Sequence, residues 1–233
     1  MSRRRDTATL PLPAVKNPAD TFAIERGLMA RGIRPVAGVD EAGRGPLAGP
    51  VVAACVILPP DCEYHIFRDS KITSEKEREL LFRILHENGA IFGLGLASAQ
   101  EIDRINILQA SLLAMKRATL SCAEKNGALP ACLLVDGTFP MPLNVAQQTL
   151  VRGESRSAAI AAASILAKVH RDRLMAELHE KYPRYGWLQN KGYPTRAHRD
   201  AIARFGPCPE HRMSFRGVRD FVNNTSNRRD EKT

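Results

Sequence analysis

The sequence lacks the cysteine patterns that stabilise small secreted proteins or bind zinc. It has five cysteines, an odd number, widely spaced and without any Cys-x-x-Cys pair. They are Cys55, Cys62, Cys122, Cys132 and Cys208. This spacing argues against a disulfide framework and a zinc knuckle, and it favours a protein of the reducing cytoplasm.

Long apolar runs and nucleotide-cofactor motifs are also missing. No run approaches the ~20 residues of a membrane span. The N-terminus carries Arg3, Arg4 and Arg5 in place of an apolar signal core. Neither a Walker loop nor a dinucleotide fingerprint is present. We expect a cytoplasmic protein with no membrane association, and we take it to be a monomer.

Positive charge is what the sequence has in excess. Lys and Arg number 34 against 25 Asp and Glu, which gives a net charge of +9 over 233 residues. Residues 150–200 alone hold ten basic and five acidic residues. Such a field favours a polyanionic partner, and we expect this stretch to be an electrostatic track for nucleic acid.

Apolar and β-branched runs predict five short strands. The runs are Val36–Val39, Val51–Leu58, Ile91–Ala97, Ala131–Val135 and Val145–Val151. Helices are predicted from the capping box Ser74-Glu75-Lys76-Glu77 to about residue 87, and over residues 106–125, 157–182 and 195–204. This order predicts an α/β fold in which helices flank a mixed five-stranded sheet, with a small helical C-terminal extension.

The expected domain boundaries follow from these elements. The two ends are rich in proline or polar residues and lack an apolar period, which is typical of flexible segments. We expect a flexible N-terminal segment over residues 1–34, the α/β core over 35–182, the helical extension over 183–222 and a flexible tail over 223–233.

Acidic residues follow three of the predicted strands. Asp40 and Glu41 follow the first and run into Gly43-Arg44-Gly45, while Asp136 and Glu154 follow the fourth and fifth. Because ligands of α/β sheets collect at strand ends, we expect these carboxylates to share a site. Asp40 and Glu41 can both face it only if the strand ends or kinks there, since strand side chains alternate. Taken singly, a solvated turn at Asp40 or an acid at a helix start at Glu154 is the alternative.

Carboxylates gathered in this way repel one another, by roughly 4 kcal/mol for two charges ~4 Å apart at an effective dielectric near 20. Divalent cations remove that penalty. Ligation by Asp and Glu oxygens suits Mg²⁺ or Mn²⁺, and two such ions ~3.5–4 Å apart can activate water and stabilise the leaving oxygen in phosphodiester cleavage. No cluster of His or Cys supports zinc.

Residues outside the acidic set suit a sugar-phosphate ligand. Gly43-Arg44-Gly45 lets the main chain approach a phosphate closely, with Arg44 able to pair with it. Tyr193, in Gly192-Tyr193-Pro194-Thr195, can stack on a base or ribose, although packing is the commoner role of an aromatic in such a turn. Lys71 can touch a phosphate or be simply exposed. Asp172 competes with Glu154 as a ligand, and we assign it to a structural ion pair.

Five segments together resemble the type 2 ribonuclease H family, ribonuclease HII. They are residues 38–51, 69–71, 134–137, 161–169 and 192–195. The likeness covers roughly residues 35–220. It implies a ribonuclease H-like fold and endonucleolytic cleavage of RNA in RNA/DNA hybrids and at single ribonucleotides in duplex DNA, leaving 3′-hydroxyl and 5′-phosphate ends.

The resemblance also implies site residues. Metal-binding carboxylates of the family are matched by Asp40, Glu41 and Asp136. Its substrate-binding positions are matched by Gly43, Arg44, Gly45, Lys71 and Tyr193. The cofactor implied is Mn²⁺ or Mg²⁺.

One departure from the family concerns its fourth catalytic acid. That residue is usually Asp in a Lys-Gly-Asp-like run, whereas this chain has Arg152-Gly153-Glu154. The extra methylene either preserves ligation through backbone adjustment or shifts one metal and slows the chemistry. Two alternatives stay open: a non-catalytic nucleic-acid-binding relative, and type 3 ribonuclease H, which has Thr where Arg44 stands.

Overall fold

The structure, a computed structural model, describes residues 11–15, 17–67 and 73–221. Lys71 lies outside the described residues, as do residues 1–10 and the tail expected over 223–233. Within the described part of the chain, no helix is both long enough and apolar enough to cross a membrane.

Five strands form one mixed sheet. They are β1 (Val36–Ala42), β2 (Val51–Ile57), β3 (Ile91–Ala97), β4 (Cys132–Asp136) and β5 (Ala146–Leu150). Their order across the sheet is β3-β2-β1-β4-β5. β1 pairs antiparallel with β2 and parallel with β4, and β4 pairs parallel with β5. The predicted α/β fold class is confirmed, and β1 runs past its predicted end at Val39.

The described helices are α1 (Ala23–Ala30), α2 (Glu75–Glu87), α3 (Ala99–Asn126), α4 (Ala158–Lys181), α5 (Trp187–Asn190) and α6 (Arg196–Phe205). The capping box predicted for α2 is present, with Ser74 accepting from the Glu77 amide and Glu77 accepting from the Ser74 amide. Thr195 caps α6 by accepting from the His198 amide at 3.2 Å. These local signals place both helix starts where the sequence predicts them.

Two helical stretches differ from the sequence prediction. α1 lies inside the segment expected to be flexible to residue 34, and the buried side chains of Phe22, Ile24 and Leu28 anchor it. α3 begins at Ala99 rather than at residue 106, because Ser98 and Glu101 form a second capping box. The start of α3 was therefore placed too late, and residues 23–30 of the expected N-terminal segment are helical.

All of the sheet except Val51 and Ala97 belongs to the first of two compact units, formed by the described residues up to Ala42 and those of Val52–Leu96 and Leu112–Val169. β1 lies so close to α4 that a Cβ on Gly38 would overlap the backbone of Ala159 and Ile160. The first six residues of α4 are alanine or isoleucine and at most 1% exposed. Because small side chains allow a helix to approach a sheet closely, this alanine-rich stretch brings the start of α4 against the centre of the sheet.

The second unit comprises Gly43–Val51, Ala97–Ser111 and the described residues from His170 onward. One of its cores gathers Ala48, Met175, Tyr185, Trp187 and Cys208. The rings of Tyr185 and Trp187 stack with centroids 5.1 Å apart. Both units are discontinuous in sequence, whereas the boundaries expected at residues 34, 182 and 222 divide the chain into continuous segments and stay a prediction.

Candidate active site

Three carboxylates converge in the first unit. Asp40, Asp136 and Glu154 each offer an oxygen, and these oxygens all lie within 4.8 Å of one another. Asp40 lies in β1 and Asp136 ends β4, and because these strands are parallel neighbours their carboxyl ends meet at one edge of the sheet. Glu154 lies in a short 3₁₀ turn, Gly153–Ser155, just before α4. The fold thus assembles acids that are far apart in sequence.

Neighbouring polar groups orient two of these acids. Asp136 accepts a hydrogen bond from the Gly153 amide to its Oδ1 at 2.7 Å. Glu154 accepts one from the Ser164 hydroxyl to its Oε2 at 3.0 Å, and Ser164 lies on the buried face of α4. A Cβ on Gly153 would come 3.0 Å from Asp136 Oδ1 and closer to Ile160, so the turn has little room for a larger residue. The longer Glu154 is therefore held at the cluster by a helix hydroxyl.

The electrostatics of the cluster favour a bound cation. Burial raises the pKa of Asp40 well above its ordinary range, and the nearby charges of Glu41, Asp136 and Glu154 raise it further, while the Glu41 amide opposes them with a 2.7 Å hydrogen bond. A divalent cation among these oxygens would offset both burial and repulsion. The all-oxygen donor set fits Mg²⁺ or Mn²⁺.

Glu41 is not a member of the three-acid group. β1 does not end or kink after Asp40, since its pairing with β2 continues through Glu41 opposite Ala53 and on to Ala42. Successive side chains of a continuous strand point to opposite faces. Asp40 and Glu41 could both face the site only if the strand ended or kinked after Asp40, and this condition is not met. The charge of Glu41 still raises the pKa of Asp40.

The Gly43-Arg44-Gly45 loop directly follows β1 and belongs to the second unit. Gly43 is buried with φ of +96°, a conformation that favours glycine, whereas Arg44 and Gly45 are exposed. Tyr193 is 41% exposed, and a Cβ on Gly45 would lie 3.8 Å from its ring. The predicted substrate-binding residues Gly45 and Tyr193 therefore adjoin on one exposed surface.

A buried histidine pair supports Tyr193. His198 Nδ1 lies 3.0 Å from the Tyr193 carbonyl oxygen, and its Nε2 accepts from the Trp187 indole N–H at 3.0 Å. His211 Nδ1 accepts from the Cys208 amide, and His211 Nε2 lies 3.2 Å from His198 Nε2. One assignment fits these contacts: neutral His198 donates from Nδ1 to the Tyr193 carbonyl, and neutral His211 donates from Nε2 to His198 Nε2, which shares its one lone pair with the Trp187 N–H. Burial lowers the pKa of both rings, that of His211 to about 4, which agrees with the neutral forms.

Sequence analysis missed the roles of several supporting residues. Arg171 was expected on the exposed electrostatic track, but its side chain is fully buried, as is that of Arg212. Arginine is rarely buried, so no local pattern distinguishes these two from exposed basic residues. Ser164 is different, because it stands within an alanine-rich run whose apolar character makes a lone hydroxyl conspicuous. Asp172 is not one of the three acids of that group, and its assignment to a structural ion pair stays a prediction.

A mixed sheet that gathers carboxylates where neighbouring strands end is the arrangement of the ribonuclease H class of metal-dependent endonucleases, and a solved ribonuclease H2 structure shares this fold. The family model described as Ribonuclease HII matches residues 37–218. The chain belongs to the ribonuclease HII family.

Relatives support this membership. The chain is 56% identical over 205 residues to ribonuclease HII of Desulfotalea psychrophila, covering 88% of this chain and 91% of the relative. It is 55% identical over 199 residues to ribonuclease HII of Syntrophotalea carbinolica, covering 85% and 93%. The crystal structure of ribonuclease H2 from Pyrococcus horikoshii is similar with a TM-score of 0.64 and 25% identity, covering 82% and 98%. A ribonuclease HIII structure in complex with Mn²⁺, described as Bst-RNase HIII, has a TM-score of 0.68 at 16% identity, covers 86% and 74%, and shares the fold.

Proposed function

We propose that this enzyme hydrolyses the RNA strand of RNA/DNA hybrids and nicks on the 5′ side of single ribonucleotides embedded in duplex DNA, leaving 3′-hydroxyl and 5′-phosphate ends. The observation that carries the proposal is the convergence of Asp40, Asp136 and Glu154 within 4.8 Å. Two Mg²⁺ or Mn²⁺ ions held there would supply an activated water and stabilise the leaving oxygen.

The residues of this chain divide the remaining work. Asp40 and Asp136 hold the metals, with Glu41 as a further ligand on the strength of the family resemblance. Glu154 serves as the fourth acid, its added length accommodated by the Ser164 hydroxyl. The backbone at Gly43 and Gly45 can exchange hydrogen bonds with a 2′-hydroxyl, the group that distinguishes RNA from DNA.

Two further residues engage the substrate strand in this proposal. Arg44 is exposed next to Gly45, where it can pair with a phosphate. The exposed ring of Tyr193 stacks on the deoxyribose that follows the ribonucleotide, which rewards an RNA-to-DNA junction. Lys71 is proposed near the substrate phosphates from the resemblance alone.

A cleavage assay tests the proposal directly. Labelled duplexes containing one ribonucleotide and long RNA/DNA hybrids are incubated with wild type and Asp40→Asn while Mg²⁺ and Mn²⁺ are varied. We expect metal-dependent cutting of both substrates, its loss in Asp40→Asn, and no change in Asp200→Asn, whose acid is exposed on α6. Failure to cut the single-ribonucleotide duplex, or full turnover by Asp40→Asn, would contradict the proposal.

Glu154 needs a separate experiment. Glu154→Gln removes the charge while keeping the length, so we expect turnover to fall even at saturating metal. Glu154→Asp restores the acid that the family usually has and should retain more activity than Glu154→Gln. Full turnover by Glu154→Gln with both Mg²⁺ and Mn²⁺ would remove Glu154 from the set of catalytic residues.

We also propose that the enzyme acts as a monomer in the cytoplasm. All five cysteines are free thiols, which supports a reducing compartment. Light scattering across a range of protein concentrations should report a single species of monomer mass. A mass that rises with concentration would contradict the monomer.

A further inference from the structure

Arg212 is fully buried and binds three backbone carbonyl groups of the loop that follows β1. Its Nη2 donates to the Gly43 oxygen at 2.6 Å, and its Nη1 donates to the Arg44 oxygen at 2.9 Å. Its Nε donates to the Gly49 oxygen at 3.0 Å. A single side chain thereby fixes the loop at both ends.

Arg171 is also fully buried and binds the same loop from α4. It donates to the carbonyl oxygens of Ala48 at 3.2 Å and Pro50 at 3.1 Å. Its third hydrogen bond goes to the Lys191 oxygen at 3.0 Å, and its guanidinium carbon lies 5.9 Å from the centre of the Tyr193 ring. Arg171 thus joins the loop after β1 to the segment that carries Tyr193.

The six acceptors of these hydrogen bonds are all neutral carbonyl groups. They accept from six of the guanidinium N–H groups but carry no charge that would neutralise the two cations, and burial of an unneutralised charge is costly. Burial lowers the pKa of Arg171 to about 10, and burial together with the charge of Arg171 lowers the pKa of Arg212 to about 9. Both side chains are therefore cations at neutral pH.

The direction of the carbonyl groups determines the direction of the amides. In a trans peptide the C=O and the following N–H point to opposite sides. Because Arg212 binds the oxygens of Gly43 and Arg44, the N–H groups of Arg44 and Gly45 point away from the buried Arg212 side chain, and both of these residues are exposed. Successive amides presented in this way form an anion-binding concavity.

We propose that Arg171 and Arg212 are positioning residues for the substrate phosphate: they orient the amides of the Gly43-Arg44-Gly45 loop outward and keep the loop electropositive. Neither side chain touches the substrate, since both are buried. The inference rests on the proposed function and deepens it. It names the two buried residues that prepare the loop to bind phosphate.

Steady-state kinetics on a long RNA/DNA hybrid test the inference. Cutting of this substrate does not depend on the proposed nicking at single ribonucleotides, so the two proposals are tested separately. Arg212→Met should raise KM by about tenfold or more while kcat stays within about threefold, since the loss is in phosphate binding. Arg212→Lys keeps the charge and should raise KM less. The difference in KM between Arg212→Met and Arg212→Lys should become smaller as the salt concentration rises from about 0.05 M to about 0.3 M, because salt screens the attraction between the Lys charge and the phosphate.

Arg216→Met and Arg216→Lys are the matched controls. Arg216 is four residues further on, and its side chain is 92% exposed. Both variants should keep the wild-type KM and salt dependence. A folded Arg212→Met that keeps the wild-type KM overturns the inference. So does a variant that loses only kcat, or one whose KM rises by the same factor at every salt concentration.

A measurement on the wild type covers the case in which Arg212→Met does not fold. The Nε–H groups of Arg171 and Arg212 are hydrogen-bonded and buried, so their NMR signals should be protected from solvent exchange. They should shift when the hybrid binds, and one uncharged methylphosphonate linkage, scanned along the substrate, should remove that shift. Signals that do not respond to the hybrid overturn the inference. A wild type that cuts hybrids but not single ribonucleotides refutes only the proposed nicking activity.

Discussion

Replacing Glu25 by glutamine should change how the stability of the protein depends on pH. Glu25 lies on α1 and is 1% exposed. Its Oε1 accepts from the Ser157 hydroxyl at 2.6 Å and from the Ala159 amide at 3.1 Å, so it caps the start of α4. Its Oε2 has no hydrogen-bond partner among the described residues. The carboxyl group is thus only half satisfied in a buried position.

The magnitude follows from the pKa of Glu25, which burial raises from 4.5 to about 7. A difference of about 2.5 pH units between unfolded and folded states is worth about 3 kcal/mol at 1.36 kcal/mol per unit. Because the folded protein holds the proton more tightly, this stability is present in full below pH 4.5 and is lost as the pH rises through 7. Glutamine stays neutral and keeps an oxygen that can accept both hydrogen bonds.

Urea unfolding of wild type and Glu25→Gln between pH 4.5 and pH 8 is the assay. The free energy of unfolding of the variant relative to wild type should rise by about 3 kcal/mol across this range. The added amide of glutamine lies where Oε2 has no partner, which costs about 1–3 kcal/mol at every pH and leaves the slope unchanged. Glu124→Gln, at an exposed position of α3, is the control. A difference that stays flat with pH would refute the reasoning.

Three other predictions concern the candidate site and its support. Ser164→Ala should lower kcat by about tenfold with little change in KM, because it removes the hydrogen bond from the Ser164 hydroxyl to Glu154. The control Ser121→Ala, on α3, should change neither kcat nor KM in the same assay. Tyr193→Ala should weaken cutting at isolated ribonucleotides more than within long hybrids, and equal losses in the two assays would count against stacking at the junction. Burial and the charge of His198 lower the pKa of His211 to about 4, so the stability that its neutral form contributes is lost as the pH falls from 6.5 towards 4. The difference in the free energy of unfolding between wild type and His211→Gln, measured in urea, should therefore become smaller over that range.

Patterns within single elements were predictable because each depends on residues close in sequence. The apolar runs predicted the strands, and Ser74 with Glu77 predicted the start of α2. The same type of signal at Ser98 and Glu101 was overlooked, which is why α3 was expected to begin at 106. That position is meaningful even so: Asn106 has φ of +66° and accepts from the Gln109 amide, so it caps the second part of a kinked helix.

The course of β1 beyond Val39 was harder to predict, because the partner strand decides where a strand ends. Pairing with β2 extends β1 to Ala42 and keeps Asp40 and Glu41 in regular alternation. The sequence indicated that both acids lie near the site, and the tertiary structure determined which one joins Asp136 and Glu154. The role of Glu41 as a metal ligand rests on the family resemblance and stays a proposal.

The sequence by itself determined the fold class, the family and the acidic and glycine-rich segments at the centre of the site, since these are written in contiguous residues. Only the tertiary structure decided what holds those segments in place. Arg212 binds the carbonyl of Gly43 across a separation of 169 residues, and no local pattern distinguishes a guanidinium that will be buried from one that will stay in water. Because every residue has a backbone carbonyl group, the residue type does not indicate which carbonyl groups will accept these hydrogen bonds. Only the folded structure therefore identifies the residues that hold the site in place.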